Sequence, residues 1–338
     1  MDVLSEVLKA VKLDGALFYN AEFSSPWCFR SPASRTAAPY LSADSRHLII
    51  YHLLTEGRGY IRIESDEHGP SLELSSGDIV VLAHGDPHIM GNGPPIPPMD
   101  SLHELQRVMT QGLTVSRHGG GGEMTRVVCG YMACDPQLSR VFLAGLPPLW
   151  KINIRHDATG QWLEQSIRYS VDNAGAALPG GRAVMARLSE VLFIETLRRY
   201  IALLPPQQTG WLAGVRDPEV GKALALLHRM PARSWTIGEL AQEVGASRSV
   251  LAERFQRYLS ETPMAYLPRW RLTLGAHKLT TTSNSVAAIA GDVGYESESA
   301  FNRAFKREFG LPPARFRSQS QSVGRIGNGR PSTMAVHR

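Results

Sequence analysis

The stretch VGYESESAFNRAFKREFG, Val293 to Gly310, has a weaker copy upstream, VGASRSVLAERFQRYLS, Val244 to Ser260. Aligned residue by residue, Ile237/Val286, Ala241/Ala290, Val244/Val293 and Gly245/Gly294 stand 49 apart. Ser247/Ser297, Leu251/Phe301 and Phe255/Phe305 stand 50 apart, so one extra residue falls in the turn. Each copy reads as helix, glycine turn, capped helix. Alanine at the fifth helical position permits a close helix crossing, and glycine supplies a left-handed turn residue. Ser247 and Ser297 suit N-caps, while Leu251/Phe255 and Phe301/Phe305 form i, i+4 apolar pairs. That is the helix-turn-helix plan, whose second helix is presented to a major groove. Two copies would read adjacent grooves and roughly double the contacts of one.

The surrounding region supports this organisation. Helices are predicted at Pro218–His228, Ile237–Val244, Ser247–Leu259, Pro263–Leu279, Val286–Asp292 and Ser297–Phe309, with a short turn at Pro313–Phe316. Residues 1–215 carry 18 Lys and Arg against 21 Asp and Glu, whereas residues 216–317 carry 15 against 10. The positive excess therefore sits with the duplication, as a reader of polyanions requires.

Residues 218–317 resemble the DNA-binding domain of the AraC/XylS family of bacterial transcription regulators. The resemblance rests on WTIGELAQEVGASRSVLAERF, TPMAYLPRWRLTLGAHKL and VAAIAGDVGYESESAFNRAFKREFGLPPARFR. It implies that residues early on each second helix meet base edges: Arg248, Ser249, Ala252 and Glu253, then Glu298, Ser299, Asn302 and Arg303. Arg303 suits guanine, Asn302 adenine and Glu253 the cytosine amino group. Glu253 departs from the arginine common at that position. Arg254, Arg257, Lys306 and Arg307 are expected on phosphates, where they position without specifying.

The first 155 residues read as short β-rich runs, including HLIIYHLLTEG, GYIRIES, SLELSSGDIVVLAHG and MTRVVCGYMAC, which fit an antiparallel barrel or jelly roll. Within them, Gly77, Ala83, His84, Gly85, His88 and Asn92 in GDIVVLAHGDPHIMGN resemble the second cupin motif, with alanine for the usual proline. The Glu56-Gly57-x-Gly59 turn resembles the first motif, but only His52 precedes it. The resemblance implies a cupin-like ligand domain, as in one branch of AraC-like regulators, without the full His-x-His…Glu set of a cupin enzyme. His52, His84, His88, Cys129 and Cys134 form an alternative donor set that would suit zinc if the Cys-x4-Cys segment bulges. The competing reading makes the cysteines small buried apolar residues and one histidine a turn residue.

The expected architecture is α+β and multidomain. It comprises a cupin-like barrel at 1–160, a helical segment at 161–206, a hinge at 207–217, the all-α module at 218–317 and a disordered tail at 318–338. The long helix GRAVMARLSEVLFIETLRRYIALL either covers its own barrel or pairs across a homodimer. The resulting expectation is a non-enzymatic, cytoplasmic, nucleoid-associated regulator. Its partners would be promoter DNA, an unidentified small-molecule effector, a second copy and RNA polymerase. Three cysteines make no paired framework, and no apolar run reaches a membrane span. The rivals are a metal-dependent cupin enzyme with a helical appendage and an architectural protein that bends DNA without choosing sequence.

Overall fold

A computed structural model describes residues 3–11, 13–42, 47–65, 71–111, 113–135, 143, 145–174 and 179–319. The chain forms two compact units. One runs from Leu8 to Arg216; the other starts at Asp217 and includes residues up to Val7. Helix α1 is Val3–Val11.

The first unit is built on strands β1 (Asp14–Ser24), β2 (Trp27–Ser31), β3 (His47–Glu56), β4 (Arg58–Ile63), β5 (Leu72–Ser75), β6 (Asp78–Leu82), β7 (His88–Asn92), β8 (Met99–Asp100), β9 (Val115–Gly119), β10 (Met124–Cys134) and β11 (Trp150–Asn153). They form a six-stranded sheet ordered β11-β6-β3-β10-β1-β9 and a five-stranded sheet ordered β5-β4-β7-β2-β8. Among the described residues, only β1/β9 and β2/β8 are parallel pairs. This is the expected jelly roll. Helices α2 (Ser34–Leu41) and α3 (Ser101–Gln111) accompany the sheets.

Strand alternation assigns the core. Tyr19, Ala21 and Phe23 of β1, Leu48, Ile50 and Leu54 of β3, and Val127 and Cys129 of β10 share one buried cluster. The other side of β3 is also buried, with Ile49, Tyr51 and Leu53 fully covered. A sheet face in water would show alternating exposure, so another layer must lie on it. That layer follows α4 (Ala158–Asp172) and is α5 (Gly181–Leu203). Its Ser189, Leu192, Phe193, Thr196, Leu197 and Ile201 are buried at helical spacing. The Ser189 hydroxyl also meets the Tyr51 hydroxyl and the Met132 sulfur, the latter at 3.8 Å. The long helix thus covers its own barrel.

The expected hinge at 207–217 is half helical. Helix α6 (Trp211–Arg216) buries Trp211, Leu212 and Ala213, and Arg216 donates to the Leu204 carbonyl. Large apolar side chains there favour packing over a loose linker, and the two units divide between Arg216 and Asp217.

The second unit contains α7 (Pro218–Arg229), α8 (Ile237–Val244), α9 (Arg248–Leu259), α10 (Pro263–Thr281), α11 (Val286–Asp292) and α12 (Glu298–Phe309). Residues 313–319 are helical. The hydrogen bonds repeat with the same offsets as the sequence. Ala246 N bonds Ala241 O at 2.9 Å, and 49 positions on Tyr295 N bonds Ala290 O at 2.8 Å. The glycines between them, Gly245 and Gly294, have φ of 80° and 90°. Each cap returns 50 positions on: Ser247 accepts from Val250 N and Ser297 from Ala300 N. Leu251, Phe255, Phe301 and Phe305 are all fully buried. Among the described residues, no helix is long and apolar enough to cross a membrane. Of the tail expected to be disordered, 318–338, Ser318 and Gln319 instead close the last helical turn, and 320–338 lie outside the described residues.

Candidate functional site

Because Leu251/Phe255 and Phe301/Phe305 point inward, the opposite faces of α9 and α12 face out. Arg248, Ser249, Glu253 and Arg257 are exposed on α9, and Ala252 and Arg254 are half-buried. On α12, Glu298, Ser299, Arg303, Lys306 and Arg307 are exposed, and Asn302 is half-buried. The side chains expected at base edges therefore share two outward ridges. Ser247 and Ser297 hold the first turn of each ridge through their caps.

The cations divide unequally. Arg254 Nη1 lies 2.6 Å from an Asp217 carboxylate oxygen and 2.8 Å from one of Glu219. Asp217 is nearly buried, and its other oxygen accepts from the backbone of Glu219 and Val220 to cap α7. Arg254, expected on a phosphate, is engaged here in an ion pair that ties α9 to the start of α7. Among the described residues, Arg303, Lys306 and Arg307 make no ion pair. Val250, 40% exposed in the first turn of α9, was not anticipated. Its place one residue before Leu251, off the inward stripe, was the available signal. An apolar group there can meet a thymine methyl.

In the barrel, pairing of His52 with Cys129 across β3 and β10 brings two of the expected donors together, and β7 adds His88. Cys129 Sγ is 2.8 Å from His52 Nδ1, His52 Nε2 is 2.7 Å from His88 Nε2, and His88 Nδ1 is 2.9 Å from the Asp86 carbonyl. A carbonyl only accepts, which sets the direction of the whole chain. His88 Nδ1–H donates to Asp86, His52 Nε2–H donates to His88, and the Cys129 thiol donates to His52. All three groups are neutral. Burial pushes His88 down to about 4, lowers His52 well below the ordinary histidine range, with His88 adding to the effect, and raises the Cys129 thiol.

In this arrangement the five expected zinc donors do not converge on one point. His52 uses both ring nitrogens, which point away from each other, so Cys129 and His88 lie at opposite edges of its ring. One ion cannot take both with His52. The remaining expected donors are elsewhere. His84 is exposed beside the Leu146 carbonyl at 3.2 Å. Cys134 lies five residues beyond Cys129 on a strand whose pairing with β3 has no register shift between them, and five steps reverse the face. Among the described residues, no group of three or more His, Cys, Asp or Glu is arranged to hold a metal.

Beside His52 the barrel leaves a cavity of about 20 Å³, walled mainly by Phe18, Tyr19, Phe29, Leu41 and Leu105. That volume admits about one water. Its polar groups are engaged: Tyr19 Oη lies 3.3 Å from His118 Nε2, and Glu104 accepts from Arg107 at 2.9 Å.

Comparison with known proteins agrees with both units. A cupin family model matches residues 2–202, and a helix-turn-helix domain model matches residues 240–319. A putative AraC-like transcription regulator of Streptomyces lividans is 30% identical over 94% of this chain and 98% of its own length. The HTH-type transcriptional regulator AlkR of Acinetobacter baylyi is 30% identical over 95% of this chain and 100% of its own. Among solved structures, an AraC-type regulator from Chromobacterium violaceum aligns at 27% identity and a TM-score of 0.30, covering 30% of this chain and 92% of that one. With relatives spanning nearly its whole length, the chain belongs to the AraC family of transcription regulators, in the form that carries a cupin domain ahead of its paired helix-turn-helix module.

Proposed function

We propose that this regulator reads promoter DNA with the outward ridges of α9 and α12, works as a homodimer, and answers to a small molecule received by the barrel. The observation that carries the reading is the matched pair of ridges, each fixed by two buried apolar residues and each ending in unburied polar side chains. Base-edge contacts fall to Arg248, Ser249, Ala252, Glu253, Glu298, Ser299, Asn302 and Arg303, and phosphate contacts to Arg257, Lys306 and Arg307. The test is titration of a selected duplex against a random one at fixed salt. A sequence-specific reader binds the selected duplex on the order of 10³-fold or more tightly, whereas an architectural protein shows no ratio.

The exposed face of α5 supports the reading of a second copy. Opposite its buried face, Val184 and Val191 are 54% and 47% exposed, and Leu188 lies between them at helical spacing. A helix apolar on both sides belongs between two surfaces, and only one is supplied by its own barrel. Trp162 and Tyr169 of α4 extend the exposed apolar area. Sedimentation of Val184→Glu/Val191→Glu protein as a monomer, against a wild-type dimer, supports this; a monomeric wild type overturns it.

The relatives are transcription regulators, and the reading is correspondingly non-enzymatic. An effector larger than water enters the barrel cavity only if a wall such as α2 or α3 moves. Regulation requires a ligand with different affinity for two arrangements, and this displacement supplies the difference. Identical footprints with and without a saturating effector would refute the coupling.

A further inference from the structure

Arg271 stands midway along α10, the helix that joins the two copies. In a basic DNA-binding module an arginine is ordinarily a phosphate contact, yet this one is half-buried and gives all three of its guanidinium nitrogens to backbone carbonyls. Nε donates to the Pro231 carbonyl at 2.6 Å, Nη2 to the Arg233 carbonyl at 2.9 Å and Nη1 to the Gly294 carbonyl at 2.9 Å. Pro231 and Arg233 belong to the loop leading into the first helix-turn-helix, and Gly294 is the turn of the second. One side chain therefore bolts both copies to the helix between them.

The neighbouring contacts leave no slack. A Cβ on Gly294 would lie 2.6 Å from Ala232 Cα and 2.9 Å from Arg271 Cζ, so the turn of the second copy abuts the backbone leading into the first. That loop is itself held. Trp235 Nε1 donates to the Met230 carbonyl at 3.1 Å, and the Arg233 guanidinium lies 3.9 Å over the Trp235 ring. Burial lowers the Arg271 pKa, a desolvation that its three charge-assisted hydrogen bonds offset. A planar fork reaches three carbonyls in different directions; an ammonium group on a flexible stem does not hold the same geometry.

We propose that Arg271 is a positioning residue that fixes the separation of the two readers, so that the protein accepts its two DNA boxes at one spacing only. The inference rests on α9 and α12 being the readers. Each base pair inserted between the boxes shifts the second groove by about 3.4 Å and turns it by about 35°. A tethered reader could follow that displacement. A bolted one cannot, and loses most of its contacts.

The experiment is selection from a random duplex library with full-length wild type, Arg271→Met and Arg271→Lys, followed by titration on the selected duplex and on one with a single inserted base pair. Wild type is expected to enrich two boxes at one spacing and to lose on the order of tenfold or more on the inserted duplex. Arg271→Met should enrich the same boxes at several spacings and lose no more than about threefold on insertion. Arg271→Lys should resemble Met if the fork matters; full rescue by lysine would reduce the role to charge and overturn the proposal. Wild type accepting several spacings, or a folded Arg271→Met protein keeping both single spacing and the full insertion penalty, also overturns it. Failure of wild type to enrich any sequence would instead refute the reading of α9 and α12 as sequence readers. Circular dichroism checks folding, and should the Met variant not fold, the wild-type spacing and the Lys variant decide.

Discussion

The two helix-turn-helix copies are nearly interchangeable inside and unlike outside. Their turns close with the same bonds, their second helices start on the same serine cap, and each hides two large apolar side chains. On the surface the first copy ties Arg254 to Asp217 and Glu219 and presents the carboxylate of Glu253. The second presents Asn302, Arg303, Lys306 and Arg307 without an ion pair among the described residues. The contrast shows what duplication preserves. Packing constrains the inward residues equally in both copies, while the outward ones are free to take different partners. Arg303, Lys306 and Arg307 on the second ridge, against Arg248 and Arg257 on the first, should therefore give the second copy the larger share of phosphate contacts, with Glu298 offsetting part of it.

The largest effect tests the shared interior. Phe255→Ala and Phe305→Ala should each destabilise the module by about 3–5 kcal/mol, because each leaves a cavity in a closed core. Thermal or denaturant unfolding measures both. If one proves much milder than the other, the copies are not equivalent inside.

The outward difference comes next. Arg303→Ala should weaken specific binding by about 1–3 kcal/mol and relax one base position. Glu253→Ala should lose no more than about 1 kcal/mol, since the lost acceptor is offset by less repulsion from phosphate. Titrations at one salt concentration compare them, and equal losses would remove the asymmetry.

The salt dependence sharpens it further. Lys306→Ala and Arg307→Ala should each lower the slope of log affinity against log salt by about one. Arg254→Met should leave that slope unchanged and lower the melting temperature instead, because its partners Asp217 and Glu219 lose their cation.

A further difference between the halves appears only in acid. His228, packed on Trp270 with ring centroids 4.0 Å apart and bonded to the Tyr266 hydroxyl at 2.6 Å, has its pKa pushed down to about 3 by burial. It belongs to the first copy's side of the module. The unfolded histidine takes up a proton near pH 6.5, about its ordinary value, whereas the folded one resists until about pH 3. Stability is therefore complete above pH 6.5 and falls as pH drops through this window, because the unfolded state then binds the extra proton. Hydrogen exchange should show α7 and α8 loosening before α11 and α12. Simultaneous loosening would argue against a pH effect peculiar to the first half.

Much of this was legible in the chain because it is local. Serine before an apolar run, glycine after one and a four-residue apolar spacing specify cap, turn and buried stripe within a dozen residues. The outward positions of Arg303 and Asn302 follow once Phe301 and Phe305 point in. The ion pair of Arg254 was not legible because its partner Asp217 lies 37 residues away, and nothing near Arg254 in sequence marks it as paired. Cys134 was grouped with Cys129 on an assumed bulge. An uninterrupted strand puts them on opposite faces, and the absence of a bulge is known only from the pairing with β3.

What the chain decides alone is whatever neighbours along the backbone can enforce: periodicity, capping, turn geometry and the repeat of two readers in one basic segment. What the fold decides is which distant groups meet. It places Arg271 among three carbonyls from two copies, Arg254 on two carboxylates, and Cys129, His52 and His88 in one directed line. Those choices depend on packing between elements far apart in sequence, where a charged or metal-binding residue type names several chemistries and only position selects one.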